Sequence, residues 1–272
     1  MRADLHVHST ASDGTSTPQE LVAAALAREL DVLAIADHDS VQGLSAAFTA
    51  AAGTQLTIVP AVELSAVSDG VDVHILAYFV DHTDPQLLAE LVELRAARAR
   101  RAAAMVESLA EAGYRVTLER VSALAGDGAV GRSHIARALV ATGDAESVAD
   151  AFERLVGREC PFYVPKVSRS PEVVVARMRE LNAVPVLAHP GVTGVDHLIP
   201  QLVDAGLLGI EAYHADHTVD QREHYAELAV SLGVLATGGS DFHGTAARNP
   251  ELGSVDIPTE AVEALLAAGR RA

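Results

Sequence analysis

The sequence has almost no cysteine, no tryptophan and no long apolar run. A single cysteine, Cys160, excludes a framework of disulfides within the chain and is typical of a protein from a reducing compartment. No apolar run approaches the ~20 residues that a membrane-spanning helix needs. The opening residues, MRADLHVHST, contain no apolar segment of the kind found in signal peptides. These absences predict a cytoplasmic protein without a membrane segment.

Lysine is nearly absent as well, because Lys166 is the only one and all other basic side chains are arginines. Acidic residues outnumber basic residues by 37 to 20, and the formal net charge is −17. Such a charge argues against electrostatic adhesion to nucleic acid or an anionic membrane, so we expect no stable DNA binding. A nucleotide substrate is still allowed, since bound metal ions would add local positive charge that the count omits.

The sequence is rich in small apolar residues, and they follow two alternating patterns. Short β-type runs alternate with alanine-rich stretches in which apolar residues recur at helical spacing, such as 18–30, 171–181 and 220–232. This alternation predicts βαβ units, and therefore an α/β fold with a parallel sheet. The seven predicted strands are 2–8, 31–36, 56–62, 71–79, 183–188, 209–213 and 234–237.

One block interrupts the alternation. From about 85 to 164 the pattern is almost wholly helical, and its first helix carries the arginine run Arg95, Arg98, Arg100 and Arg101. We expect residues 1–84 and 165–272 to form one metal-binding domain, and 85–164 to be an inserted helical subdomain that caps the substrate. The arginine run is interpreted as a solvated helix face, with a track for RNA as the weaker alternative.

Histidines and carboxylates recur at the ends of the predicted strands. His6 and His8 close the first strand, and His214 closes the sixth. In parallel β/α folds the carboxyl ends of the strands gather on one face, where active sites form. We therefore expect nine potential metal ligands to meet: His6, His8, Asp13, His38, Glu63, His74, His189, Asp241 and His243.

This set of donors predicts a catalytic metal centre. Imidazole and carboxylate without cysteine suit Zn, Mn or Fe, and one catalytic zinc takes only about three protein ligands. We therefore expect two or three divalent ions. Each motif has an ordinary explanation when it is taken alone: a HxH pair can belong to a strand core, and ADHD can be a solvated turn. Nine such residues at corresponding strand positions are hard to explain in that way.

Five segments together resemble the polymerase and histidinol phosphatase (PHP) family. In chain order they are LHVHSTASDGT, IADHD, AVELS, the AHPG turn and GSDFH. The resemblance implies a distorted (β/α)7 barrel with a trinuclear metal centre. GRSHIARAL and YVPK in the insert, with EAYHADH after it, resemble the stand-alone bacterial members that hydrolyse nucleoside 3′,5′-bisphosphates. Close relatives in that branch shorten RNA from its 5′ end.

The resemblance also distributes the ligands among three sites. It implies that the first ion is held by His6, His8, Glu63 and Asp241. It implies that the second is held by Asp13, His38 and His243. Glu63 would bridge to the third ion, whose ligands are completed by His74 and His189. Asp37 and Asp39 would orient His38 or support its turn.

The remaining polar residues are candidates for contacts with the substrate. Arg132 and His134 in the insert, and Lys166 at its exit, could bind phosphate, because arginine offers two parallel donors and lysine a compact charge. The alternative for these three is ordinary solvation of a surface. His214 could bind phosphate or protonate the leaving oxygen, and His217 could assist it.

The function that we expect is metal-dependent hydrolysis of a phosphate ester. A hydroxide bridging the ions held by Glu63 and Asp241 would attack phosphorus, with His214 in support. The expected substrate is a nucleoside 3′,5′-bisphosphate, with short 5′-phosphorylated RNA as a second candidate. The alternatives are another metabolite, such as histidinol phosphate or a cyclic phosphodiester, and a non-catalytic accessory domain of the kind attached to polymerases.

Overall fold

Seven strands form one sheet whose order follows the chain. The structure is a computed structural model that describes residues 1–166, 169–244 and 250–270, and in it each strand pairs with the next. The strands are β1 (Ala3–Val7), β2 (Val32–Ile35), β3 (Thr57–Ser68), β4 (Val71–Tyr78), β5 (Val184–Leu187), β6 (Gly209–His214) and β7 (Leu235–Gly239).

The sheet curves until β1 meets the residues that follow β7. The amide of His8 donates to the carbonyl of Phe242 at 2.9 Å, and the amide of Asp241 donates to the carbonyl of His6 at 2.8 Å. Val7 and Phe242 form a parallel bridge. The predicted α/β barrel is thus confirmed as a nearly closed, distorted one. Three of the predicted metal ligands lie on the seam that closes it.

One strand departs from the predicted parallel sheet. β4 runs antiparallel to both β3 and β5, so the prediction is wrong for this strand. β3 and β4 form a hairpin whose turn residues, Asp69 and Gly70, have φ angles of 47° and 74°. Asp-Gly is a favoured pair for this turn, because its twist matches that of the strands. β3 therefore continues to Ser68, and Glu63 lies inside the strand rather than at its end.

Helices cover the sheet and fill the block between β4 and β5. Several begin as the sequence predicts, with a proline in the first turn behind a capping residue, as at Thr17–Pro18 and Asp84–Pro85. In the described residues, no helix is long and apolar enough to cross a bilayer. The helices are α1 (Pro18–Ala27), α2 (Leu44–Ala51), α3 (Pro85–Glu111), α4 (Leu118–Ala125), α5 (Arg132–Thr142), α6 (Val148–Ala151), α7 (Pro171–Glu180), α8 (Pro190–Thr193), α9 (Ile199–Asp204), α10 (Val219–Leu232) and α11 (Thr259–Gly269).

The block between β4 and β5 has a hydrophobic core of its own. Met105 and Leu109 of α3 belong to this cluster together with Ile135 of α5. Leu87 and Leu91, near the start of the same helix, pack instead into the cluster of the barrel. The long helix α3 is therefore shared between the two cores, and the division at residues 85 and 164 stays a prediction.

Candidate metal centre

The first group of ligands lies on the closing seam of the barrel. His6 and His8 point to the same face of β1, because side chains two residues apart share a face, and their Nε2 atoms are 3.2 Å apart. Asp241 Oδ1 lies 3.4 Å from the first and 3.0 Å from the second, and Glu63 Oε2 lies 3.5 and 3.4 Å from them. Tetrahedral ligands ~2.1 Å from a zinc ion are about 3.4 Å apart. The separations among His6, His8 and Asp241 therefore fit one ion, and Glu63 lies beside both histidines.

The second group lies on the other side of His8. Asp13 Oδ1 is 3.2 Å from His243 Nε2, and ring atoms of His38 and His8 lie within 4.8 Å of these ligand atoms. His38 Nδ1 also contacts Glu63 Oε2, at 2.7 Å. The structure thus brings together the three residues that the resemblance assigned to a second ion.

The third group surrounds the other oxygen of Glu63. Glu63 Oε1 lies 2.8 Å from His74 Nδ1 and 3.1 Å from His189 Nε2. Glu63 Oε2 faces the first two groups, so the carboxylate has one oxygen on each side. This arrangement is the one that a bridging ligand requires.

The carboxylates of the centre retain their negative charge. Burial alone would raise the pKa of Glu63, but His38, His74 and His6 hold that pKa well below its usual value. The pKa values of Asp13 and Asp241 are also held well below normal against burial, in both cases by neighbouring histidines. Two buried anions and the partly exposed Asp241, within one ring of imidazoles, make a favourable site for cations.

Several buried polar atoms at this position have no hydrogen-bond partner, and this is the arrangement that bound metal ions would explain. Such atoms are rare in proteins, because leaving a buried donor or acceptor unpaired costs free energy. Several of them converge in this one place, and divalent ions would satisfy them together. Among the described residues, those atoms in the centre are Asp13 Oδ1, His38 Nδ1, Glu63 Oε2, His74 Nδ1 and Asp241 Oδ1. The donor set fits oxygen- and nitrogen-preferring ions.

Two aspartates hold the turns that carry the ligands. Asp37 accepts from the amide and hydroxyl of Ser9 at 2.8 and 2.6 Å, and from the hydroxyl of Ser12 at 2.5 Å. Asp39 accepts from the amide and hydroxyl of Ser65, both at 2.9 Å. Asp37 thereby fixes the turn between His8 and Asp13, and Asp39 fixes the strand just beyond Glu63.

Sequence reasoning missed Glu211 of β6, which is fully buried. Its Oε1 lies 2.9 Å from His6 Nδ1, and its Oε2 accepts from the amide of His189 at 2.8 Å. Burial alone would raise the pKa of Glu211, but His6 and His214 keep it below its usual value. The charged carboxylate therefore holds the proton of His6 on Nδ1 and leaves Nε2 free for a metal. An acidic residue inside the apolar run GIEAY was the available signal.

Backbone strain occurs at two of the ligands. His189 and Asp241 have φ angles of 30° and 54°, a region that residues other than glycine rarely adopt. Such conformations persist only where neighbouring groups hold them. The bond from the His189 amide to Glu211 and the bond from the Asp241 amide to His6 are of that kind.

His214 and His217 play different parts in the structure. His214 is buried, and its Nδ1 accepts from the amide of Asp216 at 3.1 Å, so the neutral ring carries its proton on Nε2. That atom lies 3.7 Å from Asp241 Oδ2. The nitrogens of His217 are both engaged by backbone, at Ala212 O and Gly191 N. The contacts of His217 therefore support the turn after His189, not the substrate contact that we expected.

The three residues predicted to contact the substrate, Arg132, His134 and Lys166, do not all face one cleft. His134 is buried, and its Nδ1 accepts from the amide of Gly131 at 3.0 Å, which caps α5. Arg132 Nη2 lies 3.2 Å from Asp72 Oδ2, and Lys166 Nζ lies 3.9 Å from Asp72 Oδ1. The phosphate contact predicted for His134 is thus replaced by a capping role at that nitrogen, whereas Arg132 and Lys166 share one carboxylate.

The arginine run of α3 is not the solvated face that we expected. Arg98 donates from Nε to Asp39 and from Nη2 to the hydroxyl of Ser65 at 2.7 Å. Arg101 donates from Nε to the carbonyl of Val164 at 2.7 Å. Arg98 therefore joins the helical block to β3, the strand that carries Glu63. Arg100 alone of these three is exposed.

A cleft of about 960 Å³ opens between the metal-ligand cluster and the helical block. Asp13, Asp241 and His243 lie on its barrel side. Its other side carries Arg132, Arg137 and Arg158 together with Phe152. A volume of this size accommodates an ordinary small-molecule ligand, for which pockets measure ~300–1,000 Å³.

Comparison with known proteins bears on this arrangement. The chain is 35% identical to a phosphoribosyl 1,2-cyclic phosphate 1,2-diphosphodiesterase of Eggerthella lenta, over 93% of this chain and 98% of that protein. It is 33% identical to a 3′,5′-nucleoside bisphosphate phosphatase of Chromobacterium violaceum, over 94% and 92%. It is 34% identical to a 5′-3′ exoribonuclease of Haemophilus influenzae, over 88% and 89%.

The fold is shared with a solved structure of a candidate metal-dependent phosphoesterase from Bifidobacterium adolescentis. The TM-score is 0.91 at 34% identity, covering 98% of this chain and 96% of that one. Fold and site together define a metal-dependent phosphoesterase. The PHP domain profile matches residues 4–159, and the chain belongs to the PHP family.

The bridging position of Glu63 predicts how metal content depends on it. Elemental analysis of protein loaded with Mn or Zn should give two to three equivalents per chain. Glu63→Gln removes one negative charge at nearly constant volume, so it should lower the metal content and reduce phosphoester hydrolysis by several orders of magnitude. The exposed change Glu119→Gln is the matched control. Wild-type metal content and turnover in Glu63→Gln would show that Glu63 is not a bridge.

The contacts of Glu211 predict a second, milder effect. Glu211→Gln should weaken metal binding ~10–100-fold, as the loss of a group that orients a metal ligand does. Competition with a chromogenic chelator measures this affinity without any substrate. Glu223→Gln, on the exposed face of α10, is the control. Unchanged affinity in Glu211→Gln would mean that His6 keeps its orientation without the carboxylate.

Proposed function

We propose that the chain removes one phosphate from a nucleoside 3′,5′-bisphosphate. The observation that carries the proposal is the cleft that places arginines opposite the metal-ligand cluster. The chain has a net charge of −17, yet this cleft concentrates Arg132, Arg137 and Arg158 on one wall. A ligand with two phosphates could have one at the cluster and the other at the arginines.

We propose that the nine predicted ligands hold two or three divalent ions of Mn, Zn or Fe. When bound, such ions neutralise phosphoryl oxygens and provide a nucleophile at neutral pH. One ion would be held at the seam by His6, His8 and Asp241. A second would be held beside it by Asp13, His38 and His243. A third would be held by His74 and His189 on the far side of Glu63. The buried carboxylates supply the negative charge that keeps the ions in place.

His214 is proposed as the group that serves the leaving oxygen. The amide of Asp216 occupies Nδ1, so the Nε2 proton is directed toward Asp241 at the edge of the cleft. From there the Nε2–H of His214 could donate a hydrogen bond to the departing oxygen or to a phosphoryl oxygen. Arg132, across the cleft, would stabilise negative charge on the second phosphate.

Short 5′-phosphorylated RNA is the second candidate substrate. The likeness to the exoribonuclease of H. influenzae favours it, because it extends over 88% of this chain. The cyclic phosphodiester of the E. lenta relative is a further alternative. Analysis of the products from all three substrates, with added Mn, tests these possibilities together: free phosphate from the bisphosphate, nucleoside monophosphates from RNA, and an opened ring from the cyclic phosphodiester. The cytoplasmic location inferred from the sequence stays a prediction.

A substrate comparison tests the role of Arg132. Charge-assisted contacts to phosphate contribute ~1.5–3 kcal/mol, which is about tenfold to a hundredfold in kcat/KM. Arg132→Ala should lower kcat/KM for a nucleoside 3′,5′-bisphosphate by that factor and leave p-nitrophenyl phosphate little changed. Damage to the metal centre would depress both substrates alike. The exposed change Arg28→Ala is the control, and equal losses on both substrates would contradict the assignment.

A further inference from the structure

A second cavity shares no lining residue with the cleft beside the metal-ligand cluster. It measures about 350 Å³ and lies between α3 and residues 164–166. None of the predicted metal ligands is among its lining residues. Its lining includes four basic side chains and one acidic one, which are Arg98, Arg100, Arg101, Lys166 and Asp39. The cavity is therefore strongly basic within an acidic chain.

The charges of this cavity are only partly compensated. Arg98 is paired with Asp39, so this acid is already neutralised. Lys166 is only 8% exposed, and its nearest carboxylate oxygen, on Asp72, is 3.9 Å away, too far for a hydrogen bond. The same carboxylate accepts a closer bond from Arg132, at 3.2 Å. In the described residues, the ammonium of Lys166 has no hydrogen-bond partner.

Arg101 adds a second unsatisfied donor. Its Nε donates to the carbonyl of Val164, but no group within the described ranges accepts a hydrogen bond from its buried Nη2. A buried cationic donor without an acceptor is costly, because the group has lost its water. Arg101 Nη2 and the ammonium of Lys166 line the same cavity from separate elements. A group with several anionic oxygens would satisfy both.

The cavity wall also limits the size and chemistry of its ligand. Leu94, Ala97, Ala104 and Val164 provide apolar surface around the basic groups. Its volume lies at the lower end of the range for small-molecule pockets, ~300–1,000 Å³. An extended nucleic acid is too large for such a space, whereas a phosphate group with a small organic remainder is not.

We propose that this cavity is a second phosphate-binding site, distinct from the metal centre, in which Lys166 and Arg101 bind one phosphate group. The phosphate could belong to the substrate, reaching past Asp72 from the cleft, or could be a separate phosphorylated ligand. Only the first source rests on the proposed function. Arg98 also lines the cavity and holds Asp39 and Ser65 beside Glu63, so an occupant would contact the support of the metal-bearing strand.

Phosphate stoichiometry tests the site directly. Equilibrium dialysis of the metal-loaded full chain against radioactive inorganic phosphate should give one bound phosphate in this cavity, in addition to any phosphate at the metals or at the arginines of the cleft. Lys166→Gln and Arg101→Gln should each weaken binding of the cavity phosphate by at least about tenfold, the effect of losing one charge-assisted contact. Lys166→Arg keeps the charge and should retain binding. Arg95→Gln, on the same helix but outside the cavity lining, should behave as wild type.

The variants also separate the two sources of phosphate. A loss of kcat/KM on the bisphosphate, with p-nitrophenyl phosphate unaffected, identifies the site with the second phosphate of the substrate. Weaker phosphate binding without that loss identifies a separate ligand. The same number of bound phosphates, with the same affinity, in the wild type and in both Lys166→Gln and Arg101→Gln would overturn the proposal. Should Lys166→Gln fail to fold, Arg101→Gln carries the same test. The number of bound phosphates is measured without the bisphosphate. The test of the cavity therefore holds even if the proposed substrate is wrong.

Discussion

The whole site depends on one buried carboxylate, Glu63, that is shared among five histidines. One of its oxygens faces His6, His8 and His38, and the other faces His74 and His189. A buried anion is costly unless it is paired or binds metal, so this carboxylate favours both the ring of imidazoles and the ions that the ring could hold. The antiparallel hairpin of β3 and β4 makes the sharing possible, because it brings Glu63 and His74 onto neighbouring strands.

The rest of the molecule fixes the geometry around that carboxylate. Closure of the barrel brings the first group of predicted ligands together, since the amide of Asp241 donates to the carbonyl of His6 across the seam. Glu211 then joins His6 to His189, and Arg98 joins the helical block to the strand that carries Glu63. Function and stability are therefore coupled, because buried ion pairs broken on one side leave an uncompensated charge.

The clustering of the predicted ligands could be expected from sequence because their spacing follows directly from strand geometry. His6 and His8 share a face at any register, and chain order places Asp241 beside them once the barrel closes. The hairpin was predictable too, since Asp69-Gly70 lies between two apolar runs, but the alternation of strands and helices elsewhere favoured a parallel sheet. The roles of Glu211, Arg98 and His134 were harder to infer from the sequence. Their partners are distant in the chain, and only the folded structure brings them together.

The most direct test of the account is the location of the ions relative to Glu63. Anomalous diffraction at the zinc edge from crystals of the zinc-loaded protein locates each ion independently of any activity. The account predicts anomalous peaks ~2.0–2.2 Å from each oxygen of Glu63, with His6 and His8 at one peak and His74 and His189 at another. Peaks that avoid Glu63, or a single ion bound away from its carboxylate, would contradict the shared-carboxylate centre.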